Sequence, residues 1–135
     1  MGDCGVMSHE KIGAEFATKD MGLSARIGSL IKSHVDAKRY LCWKDPRYHS
    51  NLSEASKTTL TYQGGPMKRT EAVAWEKNPD FENFLRMRKW DEAAKDPNAK
   101  VPPFSAYLDR IHTIINRNAA KTKTKDASSN KTSKE

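Results

Sequence analysis

The chain has 135 residues, 36% of them hydrophobic and 30% charged, with a mean hydropathy of −0.84 and a formal net charge of +7. That length holds one modest domain, and no apolar run approaches the roughly 20 residues that a membrane span needs. Two cysteines, Cys4 and Cys42, make neither a disulfide framework nor a Cys-x-x-Cys metal knuckle, and no basic-then-apolar leader opens the chain, so the expected compartment is reducing and cytoplasmic.

In chain order, Ser8 is placed to cap a first helix beginning at His9, with Ile12, Gly13, Phe16 and Ala17 on the face that also carries His9. Gly22 is the expected stop. Ser24 is placed to cap a second helix, in which Leu23, Ile27, Leu30 and Ile31 recur at helical spacing and His34, Lys38 and Leu41 continue the same stripe. An imidazole and an ammonium one turn apart on a packed face are costly unless the face lines a polar cavity that holds an anion. The plain alternative is that the stripe ends at Ile31 and Lys38 snorkels to solvent. A bend is expected around Ser33 to Asp36.

Trp43 to Ser50 reads as a loop around Asp45-Pro46. Ser53 caps a short helix over Glu54 to Tyr62, and Gln63-Gly64-Gly65-Pro66-Met67 is a tight loop with two glycines suited to positive φ or to close approach of a ligand. Thr70 caps another short helix. The segment Asp80 to Lys95 is the clearest helix, with Phe81, Phe84 and Leu85 as its buried stripe and Arg88 and Asp91 on it as well, three residues apart. A last helix runs from Ser105 to about Asn116 with Tyr107, Leu108, Ile111, Ile114 and Ile115 as its core set. Ala119 to Glu135, rich in Lys, Ser and Thr, is expected to be a disordered basic tail. The tail carries five lysines against Asp126 and Glu135, a net +3, which leaves +4 for residues 1–118. That modest excess suits a small anion about as well as nucleic acid, and the tail alone argues only weakly for the latter. With no strand pattern and no repeat, the architecture is expected to be all-α, of five or six helices.

Three helices thus each place ionisable groups on an apolar face: His9, His34 with Lys38, and Arg88 with Asp91. Imidazole and carboxylate are ligands for iron, manganese or zinc, and Lys and Arg are what a phosphate or phosphonate oxygen requires. Separately, each feature has a structural explanation; together they describe a pocket.

At these residues the chain resembles a known family. His9-Glu10-Lys11-Ile12-Gly13-Ala14, His34 through Leu41, Gln63-Gly64-Gly65-Pro66-Met67 and Arg86 through Lys95 are similar to one branch of the HD-domain superfamily, the mixed-valence di-iron oxygenases that cleave the carbon–phosphorus bond of hydroxylated aminoalkylphosphonates. The likeness runs from about His9 to Tyr107. It implies a partial HD-like helical domain over residues 1–118, with His9 and His34 as ligands to one iron and Asp91 to the other. It also implies that Lys38 and Arg88 hold the oxygens of a small organophosphonate substrate, with Ser56 and Gln63 contacting it too.

The family's earlier histidine and its His-Asp pair have no counterpart in Met1 to Ser8. The chain is therefore expected to be N-terminally truncated relative to the family and inactive alone: an incomplete product, a degenerate relative, or a half that works with a separate chain supplying the missing helices. The alternatives are a phosphohydrolase relative in the same superfamily and a non-catalytic binding protein for an anionic ligand.

Overall fold

A computed structural model describes residues 8–129, with side chains through residue 125. Cys4 and the remainder of Met1 to Met7, and the last six residues of the expected tail, lie outside the described residues. Among those described there are seven α-helices, one π-helical turn and no strand. The all-α expectation is met, with one helix more than the upper count anticipated.

Helix α1 (His9–Glu15) runs into a π turn, Phe16–Asp20, and the chain then reverses at Gly22, whose φ of 68° is the left-handed conformation glycine tolerates. The π register is written in the Met21 amide, which donates to the Phe16 carbonyl. Ser8 precedes α1 at φ 60° and its side chain makes no cap bond, contrary to the expected role.

Helix α2 (Ala25–Lys44) is one continuous rod of 20 residues, and the expected bend at Ser33–Asp36 does not occur. The Ser33 hydroxyl donates to the Leu30 carbonyl at 2.7 Å, so its polarity is absorbed inside the helix. α1 and the π turn pack closely against α2 through small residues. A Cβ on Gly28 would lie 2.7 Å from Thr18 Cγ2, so the approach depends on glycine there. Ala14 and Ala17 are the buried partners on the other side.

The stretch expected as a loop after Trp43 contains α3 (Pro46–Asn51). Asp45 is extended, as the following proline demands, and its carboxylate accepts from the Arg47 amide at 2.9 Å while Pro46 occupies the first helical position. The same two residues that argue against helix at Asp45 start one immediately after it.

Helix α4 (Glu54–Tyr62) is capped by the Ser53 hydroxyl, as expected. Gly64 and Gly65 then take φ of 97° and 72°. Their freedom serves the fold: the Gly65 carbonyl accepts from Arg39 Nε at 2.9 Å, the Met67 amide donates to the Arg39 carbonyl, and Arg39 grips Glu71 of α5 (Arg69–Glu76) through both terminal nitrogens. Helix α5 starts at Arg69 directly after Lys68, so Thr70, the expected cap, lies inside the helix.

The core forms where α2, α5 and α6 (Phe81–Ala93) meet. Tyr40, Met67 and Ala72 are buried at its centre, ringed by Leu41, Trp43, Trp75, Phe81 and Leu85. Tyr40 meets Trp75 and Phe81 with ring centroids 5.3 and 5.2 Å apart, and Trp75 stacks on Phe84. The Tyr40 hydroxyl donates to Glu76 at 2.6 Å.

Helix α7 (Ser105–Ser129) departs most from expectation. It continues through Ser129, over eleven residues of the expected disordered tail. Alanine and lysine are good helix formers, and Thr122 and Thr124 return hydrogen bonds to carbonyls one turn back. Of its expected core set, Tyr107, Leu108 and Ile114 are exposed, and only Ile111 and Ile115 are half-buried. The helix touches the body at Gly22, where Asn118 reaches the carbonyl and Ile115 lies nearby. The first helix shows the same pattern: Ile12 and Phe16 are 57% and 56% exposed. The apolar faces of α1 and α7 are thus largely uncovered among the described residues.

Candidate functional site

Helix α2 is the spine of the candidate site. His34, Lys38 and Cys42 follow one another at intervals of one turn, and each meets a different neighbour.

At the first level, α1 brings His9 to His34. The two Nε2 atoms are 2.9 Å apart, with ring centroids separated by 5.0 Å. His34 Nδ1 lies 2.6 Å from the Ile31 carbonyl, which can only accept, so that nitrogen carries a proton, and in the neutral ring Nε2 then presents its lone pair. His9 either donates to that lone pair or joins it in facing a cation. Two nitrogens each about 2.1 Å from a shared ion and subtending a right angle are about 2.9–3.0 Å apart, so the spacing fits two adjacent metal ligands. The Nδ1–H bond to a backbone carbonyl is the support that metal-ligating imidazoles ordinarily have.

One turn on, Lys38 is 4% exposed. Its ammonium donates to Thr59 Oγ1 at 3.1 Å and to the Ser56 carbonyl at 3.4 Å, both on α4, so two of its three donors are engaged. Ser56 therefore meets Lys38 through its backbone. Burial pushes the Lys38 ammonium down from its ordinary 10.5 to about 8; the nearby Arg88 guanidinium adds like-charge repulsion, and Cys42 and Asp91 oppose it. The Cys42 thiol is pushed up, again chiefly by burial. Gln63, the C-terminal cap of α4, lies four residues beyond Thr59, and its Oε1 is buried without a hydrogen-bond partner among the described residues.

Helix α6 contributes Arg88, 3% exposed. Its Nε donates to Glu92 and to the Tyr48 hydroxyl, each at 3.0 Å, and its Nη1 donates to Asp91 at 3.0 Å. Its Nη2 is buried and has no partner among the described residues. Tyr48, carried in by α3, donates its hydroxyl to Glu92 in turn. Burial holds the Tyr48 phenol well above its usual range, with the Glu92 contact adding to the effect.

The structure brings His9 to His34, ties Asp91 to Arg88, and joins Lys38 to the Ser56 backbone, with no direct contact of Lys38 to Arg88 among the described residues. Asp91 also pairs with Lys95 at 3.6 Å. Against a two-metal centre this donor set falls short. Among the described residues no three His, Cys, Asp or Glu side chains gather in a possible metal cage. The two imidazoles fit part of a metal site; the residues present do not fit a di-iron centre. A groove between α1 and the start of α2, lined by Lys11, Ala14, Glu15, Thr18, Gly28 and Lys32 among others, includes none of the seven expected residues.

Three partners in the site lie beyond the sequence reading. Glu92 is legible in principle, being four residues beyond Arg88 on the same helix. Tyr48 is hidden as long as α3 is taken for a loop. Thr59 has no signal beyond lying on the α4 face that carries Ser56 and Gln63.

No protein-family model matches the chain. The chain is 38% identical over 107 residues to an uncharacterised protein of Acanthamoeba polyphaga mimivirus, covering 79% of this chain and 48% of that protein. It is 35% identical over 109 residues to a [1-hydroxy-2-(trimethylamino)ethyl]phosphonate dioxygenase (glycine-betaine-forming) of Leisingera caerulea, covering 81% and 55%. It is 34% identical over 107 residues to a hydroxymethylphosphonate dioxygenase of Gimesia maris, covering 79% and 52%. The chain thus spans about half the length of the curated relatives it matches, two of which are named as phosphonate dioxygenases.

Proposed function

We propose that this chain is the phosphonate-binding part of a phosphonate dioxygenase-like protein of the HD-domain superfamily. One combination carries the reading: two cations from different helices, Lys38 and Arg88, are each almost wholly buried, Arg88 helps hold the Lys38 ammonium below its ordinary pKa, and the Arg88 guanidinium retains a buried donor with no partner among the described residues. An organophosphonate placed here supplies the counter-charge that the Lys38 ammonium lacks among the described residues, Arg88 already being paired with Asp91 and Glu92, and it satisfies Arg88 Nη2. Two relatives named for phosphonate substrates supply the ligand class.

In this reading Lys38 and Arg88 hold the phosphonate oxygens, and the orphaned Gln63 Oε1 accepts a hydrogen bond from the substrate's hydroxyl. Ser56 lines the same α4 face. His9 and His34 serve as two ligands of one iron, whose part in such proteins is to supply the oxygen-activating chemistry. Asp91, 3.0 Å from Arg88 Nη1, becomes a ligand of a second iron only by loosening its hold on Arg88 and Lys95. The rest of the centre comes from polypeptide corresponding to the half of the relatives that this chain does not match, packed over the exposed faces of α1 and α7. The chain by itself is inactive as an oxygenase.

The test mixes the purified chain with the unmatched part of the Leisingera caerulea relative, loads the mixture with iron, and measures phosphate release from hydroxymethylphosphonate with and without dioxygen. Oxygen-dependent release supports the reading. Oxygen-independent release from a phosphomonoester identifies a hydrolase instead. The incomplete donor set favours a second reading, a non-catalytic binder of an anionic ligand, which predicts tight binding and no turnover in any mixture.

A further inference from the structure

Arg88 is held by side chains outside the set just assigned to substrate. Taking Arg88 as an anion receptor, a reading on which this inference rests, we propose that Tyr48 and Glu92 are positioning residues. In the chain by itself, where Asp91 stays on Nη1, they clamp the guanidinium so that Nη2 is the one nitrogen left for an oxygen of the bound phosphonate.

The geometry is specific. Nε–H is shared between Tyr48 Oη and Glu92 Oε1, each 3.0 Å away, and Nη1 is engaged by Asp91 Oδ2 at 3.0 Å. The Tyr48 hydroxyl works in both directions, accepting from Arg88 and donating to Glu92, so each of the three groups fixes the other two. An arginine side chain is long and rotatable, and an unclamped Arg88 would turn its free nitrogen toward one of the two adjacent carboxylates. Here it does not: among the described residues Nη2 is buried without a partner, while Asp91 is taken by Nη1 and Glu92 by Nε. A buried donor on a charged group is left unpaired at a cost, and a structure sustains that where a ligand completes the bond.

The clamp also ties two parts of the fold together. Tyr48 is delivered by α3, whose start is set by the Asp45 cap and Pro46, whereas Arg88 and Glu92 lie one turn apart on α6. Phenylalanine at position 48 would fill the same space and could neither accept from Arg88 nor donate to Glu92.

The experiment titrates methylphosphonate into the full chain by calorimetry, for wild type, Tyr48→Phe, Glu92→Gln, the double variant and Arg88→Lys, with urea unfolding of each to establish that it is folded. Tyr48→Phe and Glu92→Gln are each expected to raise the Kd about five- to tenfold. Because both act through one guanidinium, the double variant should be within about twofold of the weaker single variant. In the side-chain nitrogen spectrum the Arg88 Nε–H signal should move in Tyr48→Phe before any ligand is added, a change that general destabilisation does not produce.

A Tyr48→Phe protein that binds methylphosphonate like wild type, whatever its stability, overturns the positioning role. So does a double variant whose losses multiply. If Arg88→Lys loses binding while Tyr48→Phe keeps it, the anion-receptor reading survives and the clamp does not. A wild-type chain that binds no methylphosphonate at millimolar concentration overturns the receptor reading itself, and the clamp's role with it.

Discussion

Replacing Lys38 with methionine should make this protein more stable at neutral pH. The ammonium is 4% exposed and, among the described residues, its only partners are a threonine hydroxyl and a backbone carbonyl, with no carboxylate in contact. A fall from 10.5 to about 8 corresponds to at most about 3 kcal/mol of destabilisation by the charged form. The two lost hydrogen bonds return about 1–2 kcal/mol of that. Thr59 Oγ1 still donates to the Ser56 carbonyl, so no buried carbonyl is orphaned. The net expectation for Lys38→Met is a gain of about 1–2 kcal/mol at pH 7, or roughly 4–8 °C in Tm for a small domain.

The pH dependence has a definite sign. Because the folded-state pKa lies below the unfolded one, the unfolded chain binds more protons between about pH 8 and 10.5, and wild-type stability gains on the variant across that window. The alkaline losses from the raised Tyr40 and Tyr48 phenols are common to both proteins and largely cancel in the difference, whereas the Cys42 thiol, which Lys38 holds down, is raised further in the variant and adds to the narrowing. Urea unfolding followed by the fluorescence of Trp43 and Trp75 at pH 7, 9 and 10.5 reads the difference directly. A variant less stable than wild type at pH 7, or a gap that does not shrink toward pH 10.5, would refute the reasoning.

Two further changes probe the frame around the site. Gly28→Ala should cost about 1–2 kcal/mol in urea unfolding, the gain in helix propensity being outweighed by the 2.7 Å contact with Thr18 Cγ2, and Thr18→Ala should restore most of the loss in the double variant. Ending the chain after Asn118 should leave stability within about 0.5 kcal/mol, because residues 119–125 of α7 are exposed throughout; a larger drop would show that the distal helix packs on something.

Elements whose signals are local are legible in the sequence, and those set by tertiary contact are not. The α6 stripe of Phe81, Phe84 and Leu85, the Ser53 cap and the positive φ of Gly64 and Gly65 follow from periodicity and chain chemistry, and each is present. Helix α3 escapes a reading that weighs Asp45-Pro46 only as a breaker, because an aspartate cap with proline at the first helical position starts a helix. The apolar stripe of α7 looks like core because periodicity reports amphipathicity, which does not say whether a covering surface is present. Among the site residues, the burial of Lys38 and Arg88 is legible from their place on apolar stripes. That Asp91 bonds to Arg88 and Lys95 is not, because spacing along one helix does not choose among several possible partners.

The central claim is that Lys38 and Arg88 together form a receptor for a phosphonate. Titration of hydroxymethylphosphonate into the folded chain, followed by phosphorus resonance, measures it most directly when wild type is compared with Lys38→Met and Arg88→Lys. Saturable binding that weakens at least about tenfold in each variant is the predicted result. Equal affinity in all three proteins would contradict it.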